Sequence, residues 1–168
     1  MPLPRQLPQP RRPARDMAST PVTTAQGAGL SWTAPSHWTV KPASAMRRGS
    51  YAIAGTNGAA ADLAITAFPG NVGGNLANVN RWRNQLGLGP IGEAEMEASL
   101  SHHDFNGLHM DVVDIQGAAG ADRQRTIGAI VPFGEATWFF KLSGPDALVA
   151  SEKQAFMSFL QTVKPPKS

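Results

Sequence analysis

The sequence predicts a single α+β domain, an antiparallel sheet of about six to seven strands flanked by two main helices and one short helix. Three observations carry this reading. Asn57-Gly58 and Asn106-Gly107 each sit between short apolar-rich runs, where residues that tolerate positive φ close tight hairpins. Two longer stretches, opening near Asn75 and near Pro145, repeat apolar residues at helical spacing. The chain of 168 residues is 42% hydrophobic, enough for one ordinary core.

The elements follow in order. Residues 1–27 hold six of the 14 prolines, mixed with Arg, Gln, Ser and Thr, and read as a disordered tail or linker with too little apolar surface to offset its chain entropy. Residues 28–165 read as the domain and 166–168 as a short C-terminal tail. Trp32 and Trp38 flank Ala34-Pro35-Ser36, a turn before a short strand. Ser50–Ala54 and Ala61–Phe68 form a hairpin about Thr56-Asn57-Gly58, with Leu63, Ile65 and Ala67 on one face. Pro69-Gly70 ends it. Asn75 is the expected N-cap of a helix running to Leu86, whose inward stripe is Leu76, Val79, Trp82 and Leu86, and Gly87 closes it. A short acidic helix from Glu93 to about Leu100 turns Met96 and Leu100 inward. The Asn106-Gly107 hairpin follows, with Leu108, Met110 and Val112 on one face of its second arm and His109, Asp111 and Val113 on the other. Gly117–Asp122 turns into strands Thr126–Val131 and Thr137–Leu142, where Trp138-Phe139-Phe140 reads as core. Pro145 takes the first position of the last helix, whose buried face is Val149, Phe156, Phe159, Leu160 and Val163.

Charge narrows the function. Arg5, Arg11, Arg12 and Arg15 against Asp16 give the tail the whole formal charge of +3, so the domain is neutral and lacks the electrostatic footprint of a nucleic-acid binder. Cysteine is absent, which excludes disulfides, thiolate metal sites and cysteine nucleophiles. No apolar run approaches the roughly 18 residues of a transmembrane helix. Met1–Arg15 shows no apolar leader. Either the protein stays inside the cell or the true start lies upstream, and Met17 is an alternative start.

Three constellations are candidates for chemistry. Gly70-Asn71-Val72-Gly73-Gly74-Asn75 lies between a strand and a helix, where exposed N–H groups suit an anion. It lacks both the P-loop ending and the dinucleotide-fold spacing, and the alternative is a flexible turn. The helix Asn78–Gln85 carries Asn78, Asn80 and Asn84, which are poor helix formers, with Arg81 and Arg83. Such groups bond either to a partner or to neighbouring loops. Asn71, Gly73, Gly74, Asn78, Arg81 and Gln85 are the expected binding surface, with Asn78, Arg81 and Gln85 on one helical stripe. Finally, His102, His103, Asp104, His109 and Asp111 cluster across the second hairpin. His102 and His103 point to opposite faces, so only one can join His109 and Asp111; the candidate set is His103, His109 and Asp111, and no metal is assigned. No GxSxG or HExxH signature occurs.

Trp32-Thr33-Ala34-Pro35-Ser36-His37-Trp38, Phe68-Pro69-Gly70-Asn71-Val72-Gly73-Gly74, Asn78-Val79-Asn80-Arg81-Trp82-Arg83 and Thr137-Trp138-Phe139-Phe140-Lys141-Leu142-Ser143-Gly144 resemble a lipoprotein-type domain of environmental bacteria, over roughly Leu30–Lys164. That domain often follows a lipid-anchored cysteine and a Pro-rich spacer. This chain departs from the pattern in having no lipobox cysteine. The element order also resembles the PsbP fold, an α/β/α sandwich shared by a photosystem extrinsic subunit and a Ran-binding import factor. The resemblance implies a binding or assembly role and, if the native N-terminus lies upstream, an envelope or periplasmic location; otherwise the location is cytoplasmic.

The expected function is therefore a non-catalytic binding or accessory module, an extrinsic subunit or assembly factor of a membrane-bound complex. It would have an unknown protein partner, no nucleic acid and no cofactor, and be monomeric on its own. The alternatives are a small metal-dependent enzyme using the hairpin from His102 to Asp111 and a small-ligand or anion binder at the loop from Gly70 to Asn75.

Overall fold

The turns fold as their residues dictate. Asn57 and Gly58 take φ of 55° and 79°, and Asn106 and Gly107 take 56° and 82°, the left-handed pairs that hairpins matched to strand twist require. The computed structural model describes residues 29–166, apart from 43, 45, 46 and 71–73. Its elements are β1 (Thr39–Val40), β2 (Gly49–Ala54), β3 (Ala60–Pro69), α1 (Gly74–Gln85), α2 (Glu93–Ser99), β4 (Leu100–Phe105), β5 (Leu108–Gln116), β6 (Gln124–Phe133), β7 (Ala136–Pro145) and α3 (Asp146–Leu160).

The seven strands form one sheet in the order β1-β2-β3-β7-β6-β5-β4, and every neighbouring pair is antiparallel. The chain leaves the sheet after β3, crosses it as α1 and α2, and re-enters at the far edge with β4. β7 closes the gap by pairing with both β3 and β6. This is the expected α+β sandwich.

Alternation sends side chains to two cores. On one face α3 lays Val149, Phe156, Phe159 and Leu160 against Ile53, Leu63, Ile65, Ile127, Phe140 and Leu142, with Trp32 and Trp38 completing the layer. The indoles bury their rings but keep their N–H groups bonded, Trp32 Nε1 to the Tyr51 hydroxyl at 2.9 Å and Trp38 Nε1 to Glu152 Oε1 at 2.9 Å. On the other face Val79, Trp82 and Met96 from the first two helices cover Val113, Ile115, Ile130 and Phe139, with Leu76 and Leu86 packed at the margin. α1 lies close to the sheet because β6 carries Gly128 beneath Trp82; a Cβ there would come within 2.4 Å of the indole.

Two local expectations are corrected. α1 begins two residues early, at Gly74 with φ of +74°. Asn75 therefore lies inside the helix rather than capping it, and its amide reaches across to Asp111. Pro145 precedes α3 instead of opening it, with an extended ψ of 139°. Its ring fixes φ for either place, so sequence alone leaves the boundary one residue uncertain.

Candidate functional site

The polar residues of α1 divide by what they touch. Asn78 is 1% exposed: the stripe it shares with Arg81 and Gln85 turns partly inward at its first turn, which corrects the surface role expected for it. Its Nδ2 donates to the Gly74 carbonyl at 2.7 Å, and its Oδ1 accepts from Arg81 Nη2. Asn80 clamps the loop after the helix, donating to Ile91 O at 3.1 Å and accepting from Ile91 N at 2.9 Å, and Arg83 donates to Gly89 O at 2.8 Å. These amides thus tie α1 to its own loops. Arg81 and Gln85 are exposed and Gly74 is half-buried. Asn71 and Gly73 lie outside the described residues.

A cation not singled out from the sequence joins this face. Lys141 of β7 donates to Gln85 Oε1 at 2.6 Å and lies 6.0 Å from the Trp82 ring centroid. Burial, followed by the charges of Arg81 and Arg47, holds its ammonium below the usual lysine range, with Asp62 offsetting part of the effect. The signal was present in strand parity, since Lys141 falls two residues after Phe139 and so shares the face that α1 covers.

The second group gathers at the β4–β5 hairpin. The two-residue turn fixes the register: Phe105 opposes Leu108, Asp104 opposes His109, His103 opposes Met110 and His102 opposes Asp111. Opposed residues share a face. His102, not His103, therefore joins His109 and Asp111. His103 lies on the opposite face, stacked on Phe105 with 5.4 Å between centroids. The candidate set is corrected accordingly, and the correction follows from pairing across the turn.

His102 donates from Nδ1 to Asp111 Oδ1 at 2.5 Å and from Nε2 to Glu97 Oε2 at 2.6 Å. His109 donates from Nε2 to the same Asp111 Oδ1 at 2.7 Å and from Nδ1 to Asp104 Oδ1 at 3.2 Å. The rings stack 5.8 Å apart at 22°. Asp111 Oδ2 accepts from Asn75 Nδ2 at 2.8 Å. The cluster thus draws on α1, α2, β4 and β5. Hydrogen bonds to Asp111 and then to Glu97 raise the His102 pKa, and those to Asp104 and Asp111 raise that of His109. Burial pushes the Asp111 carboxyl up, but the bonds from His102, Asn75 and His109 outweigh it and leave it below its ordinary value. The sequence does not place Glu97 or Asn75 at the hairpin, because only the packing of α1 and α2 brings them there.

Fold and site together define the class: an α/β/α sandwich of PsbP-like fold with a histidine–carboxylate cluster on the side of its first two helices. Among solved structures the chain is similar to LpqN, involved in cell envelope biogenesis of Mycobacterium tuberculosis, at 15% identity and a TM-score of 0.56, over 88% of this chain and 90% of that one. It is similar to cyanobacterial PsbP (CyanoP) from Synechocystis sp. PCC 6803 at 12% identity and a TM-score of 0.56, over 89% and 94%. It also spans 46% of a Bacteroides thetaiotaomicron chain at 14% identity and a TM-score of 0.48. No family model and no curated protein sequence matches it. At these identities the likeness establishes the fold. Among the described residues, no helix is long and apolar enough to cross a membrane.

Proposed function

We propose that the protein is a non-catalytic accessory module that docks on a membrane-bound assembly through the cationic side of α1, where it receives an acidic protein surface. One observation carries the reading. Arg81 and Lys141 stand near enough to repel, yet among the described residues their bonds go to the neutral side chains of Asn78 and Gln85. Like charges crowded on a half-desolvated face cost stability, and an acidic partner would relieve that cost on binding. Arg81 adds a planar donor fork suited to carboxylates. The structural likeness to PsbP and to an envelope-biogenesis protein supports an accessory role.

The test is co-sedimentation of the full chain with membranes of the native organism. The wild type is expected to be retained at low salt and released as ionic strength rises. Arg81→Glu with Lys141→Glu is expected to abolish retention while the fold persists by circular dichroism. Equal retention of wild type and double variant would overturn the docking face.

A further inference from the structure

We propose that His102, His109 and Asp111 bind one divalent cation of the zinc class, two imidazole nitrogens and one carboxylate oxygen closing on it from adjacent strands. This site rests on side-chain geometry at the β4–β5 hairpin and not on the docking face of α1, so the two can fail separately.

The near nitrogens of both rings already converge on a single oxygen, His102 Nδ1 at 2.5 Å and His109 Nε2 at 2.7 Å from Asp111 Oδ1. The three groups offer ligand atoms that all lie within 4.8 Å of one another. A tetrahedral zinc ion with bonds of about 2.0–2.1 Å holds its ligand atoms about 3.3 Å apart. The two nitrogen–oxygen separations need to open by less than about an ångström to admit it. Both rings are about half exposed, 46% and 47% by side chain, so they can swing without disturbing the core and leave the fourth position to solvent.

A second observation points the same way. Every ligand has its remaining polar atom held. His102 Nε2 donates to Glu97, His109 Nδ1 donates to Asp104, and Asp111 Oδ2 accepts from Asn75. Carboxylates behind the distal nitrogens are what metal-binding histidines carry: they fix the tautomer and raise the basicity of the ligating nitrogen. Here they assign Nδ1 of His102 and Nε2 of His109 to the metal. Ligating imidazole nitrogens must be deprotonated, so zinc entry displaces whatever protons His102 Nδ1 and His109 Nε2 hold toward Asp111. Two imidazoles select zinc-like ions over magnesium and calcium, which favour all-oxygen sites.

The experiment is equilibrium dialysis of the full chain against zinc chloride near neutral pH, with metal counted by mass spectrometry. One equivalent is expected, with a rise in Tm that EDTA reverses. His102→Ala and His109→Ala should each weaken binding at least tenfold, Glu97→Gln and Asp104→Asn by about 10–100-fold, and His103→Ala should leave it unchanged. No saturable binding, binding that survives the His102→Ala/His109→Ala double variant, or equal loss in His103→Ala would overturn the site. Cobalt loading of the wild type needs no variant to fold. Intense visible bands of a tetrahedral site are expected, and the weak spectrum of a six-coordinate ion would also overturn it.

Discussion

Asn78 and Arg81 are bonded to each other, but they belong to different parts of the molecule. Asn78 is buried and bonded at both ends of its amide, to Gly74 O and to the Arg81 guanidinium. Asn78→Ala removes those bonds and the packing of a buried side chain, so it should cost about 1–3 kcal/mol in urea unfolding. Arg81→Ala deletes an exposed side chain and should cost under about 1 kcal/mol. If Arg81→Ala costs as much as Asn78→Ala, the guanidinium is part of the scaffold and the docking face loses its anchor. The sequence carries the stripe of Asn78, Arg81 and Gln85, because i, i+3 and i+7 share a side. It does not carry how far the helix is rolled, which depends on Trp82 seating against the sheet. The histidines teach the reverse lesson: the turn at Asn106-Gly107 fixes the partner of His102, so the set with His109 and Asp111 was legible by counting across the hairpin.

At the scale of elements, the seating of α1 rests on one glycine. A Cβ on Gly128 would lie 2.4 Å from Trp82 Cζ3 and 2.7 Å from Cη2, distances that force the helix to lift. Gly128→Ala should destabilise the protein by about 1–3 kcal/mol, and the cost should shrink when Trp82→Phe trims the ring. Equal costs in both backgrounds would show that the glycine serves the strand and not the helix. A second contact joins α3 to the edge of β5 and β6. Arg125 donates from Nε and Nη2 to Asp114 at 2.7 Å each and from Nη1 to Asp146 at 3.2 Å, while Lys153 of α3 donates to Asp114 at 2.9 Å. Burial pushes the Asp114 carboxyl up, but these bonds win and leave it lowered. A carboxyl depressed in the folded state stabilises above its unfolded value near 4, and that contribution disappears as pH falls through the folded value. Asp114→Asn should therefore cost about 1–3 kcal/mol at pH 7, with the gap from wild type closing as pH falls below the ordinary carboxylate range. A gap independent of pH would mean that Asp114 acts by shape alone. The sequence located these elements because hairpin chemistry and helical spacing are local, whereas Gly128 and Arg125 acquire their roles from partners far along the chain.

The whole molecule is held by contacts distant in sequence, and that is where the sequence reading ended. It anticipated an antiparallel sheet between helices but not that β3 and β7 would meet at its centre, because the excursion through α1 and α2 leaves no local trace of where β4 re-enters. The same architecture bears on residues 1–27. Order at the start of the domain is anchored by Leu30 and Trp32, both within the α3-side core, and by the bridge between Ser31 and Lys164, bonded in both directions at 2.9 Å. Those contacts lie between residues 30 and 164. The segment 1–27 is rich in proline and arginine and poor in large apolar residues, and a chain of this composition contributes little to folding. Deleting residues 1–27 should leave Tm within about a degree and the denaturant slope m unchanged, since m follows the surface buried. Deleting five residues further, through Trp32, should by contrast remove an indole that packs edge-on to Trp138 and Phe140 at 6.2 and 6.0 Å between centroids and cost several kcal/mol, as large aromatic deletions in cores do. A fall of several degrees on removing residues 1–27 alone would place part of that segment on the domain and redraw its boundary.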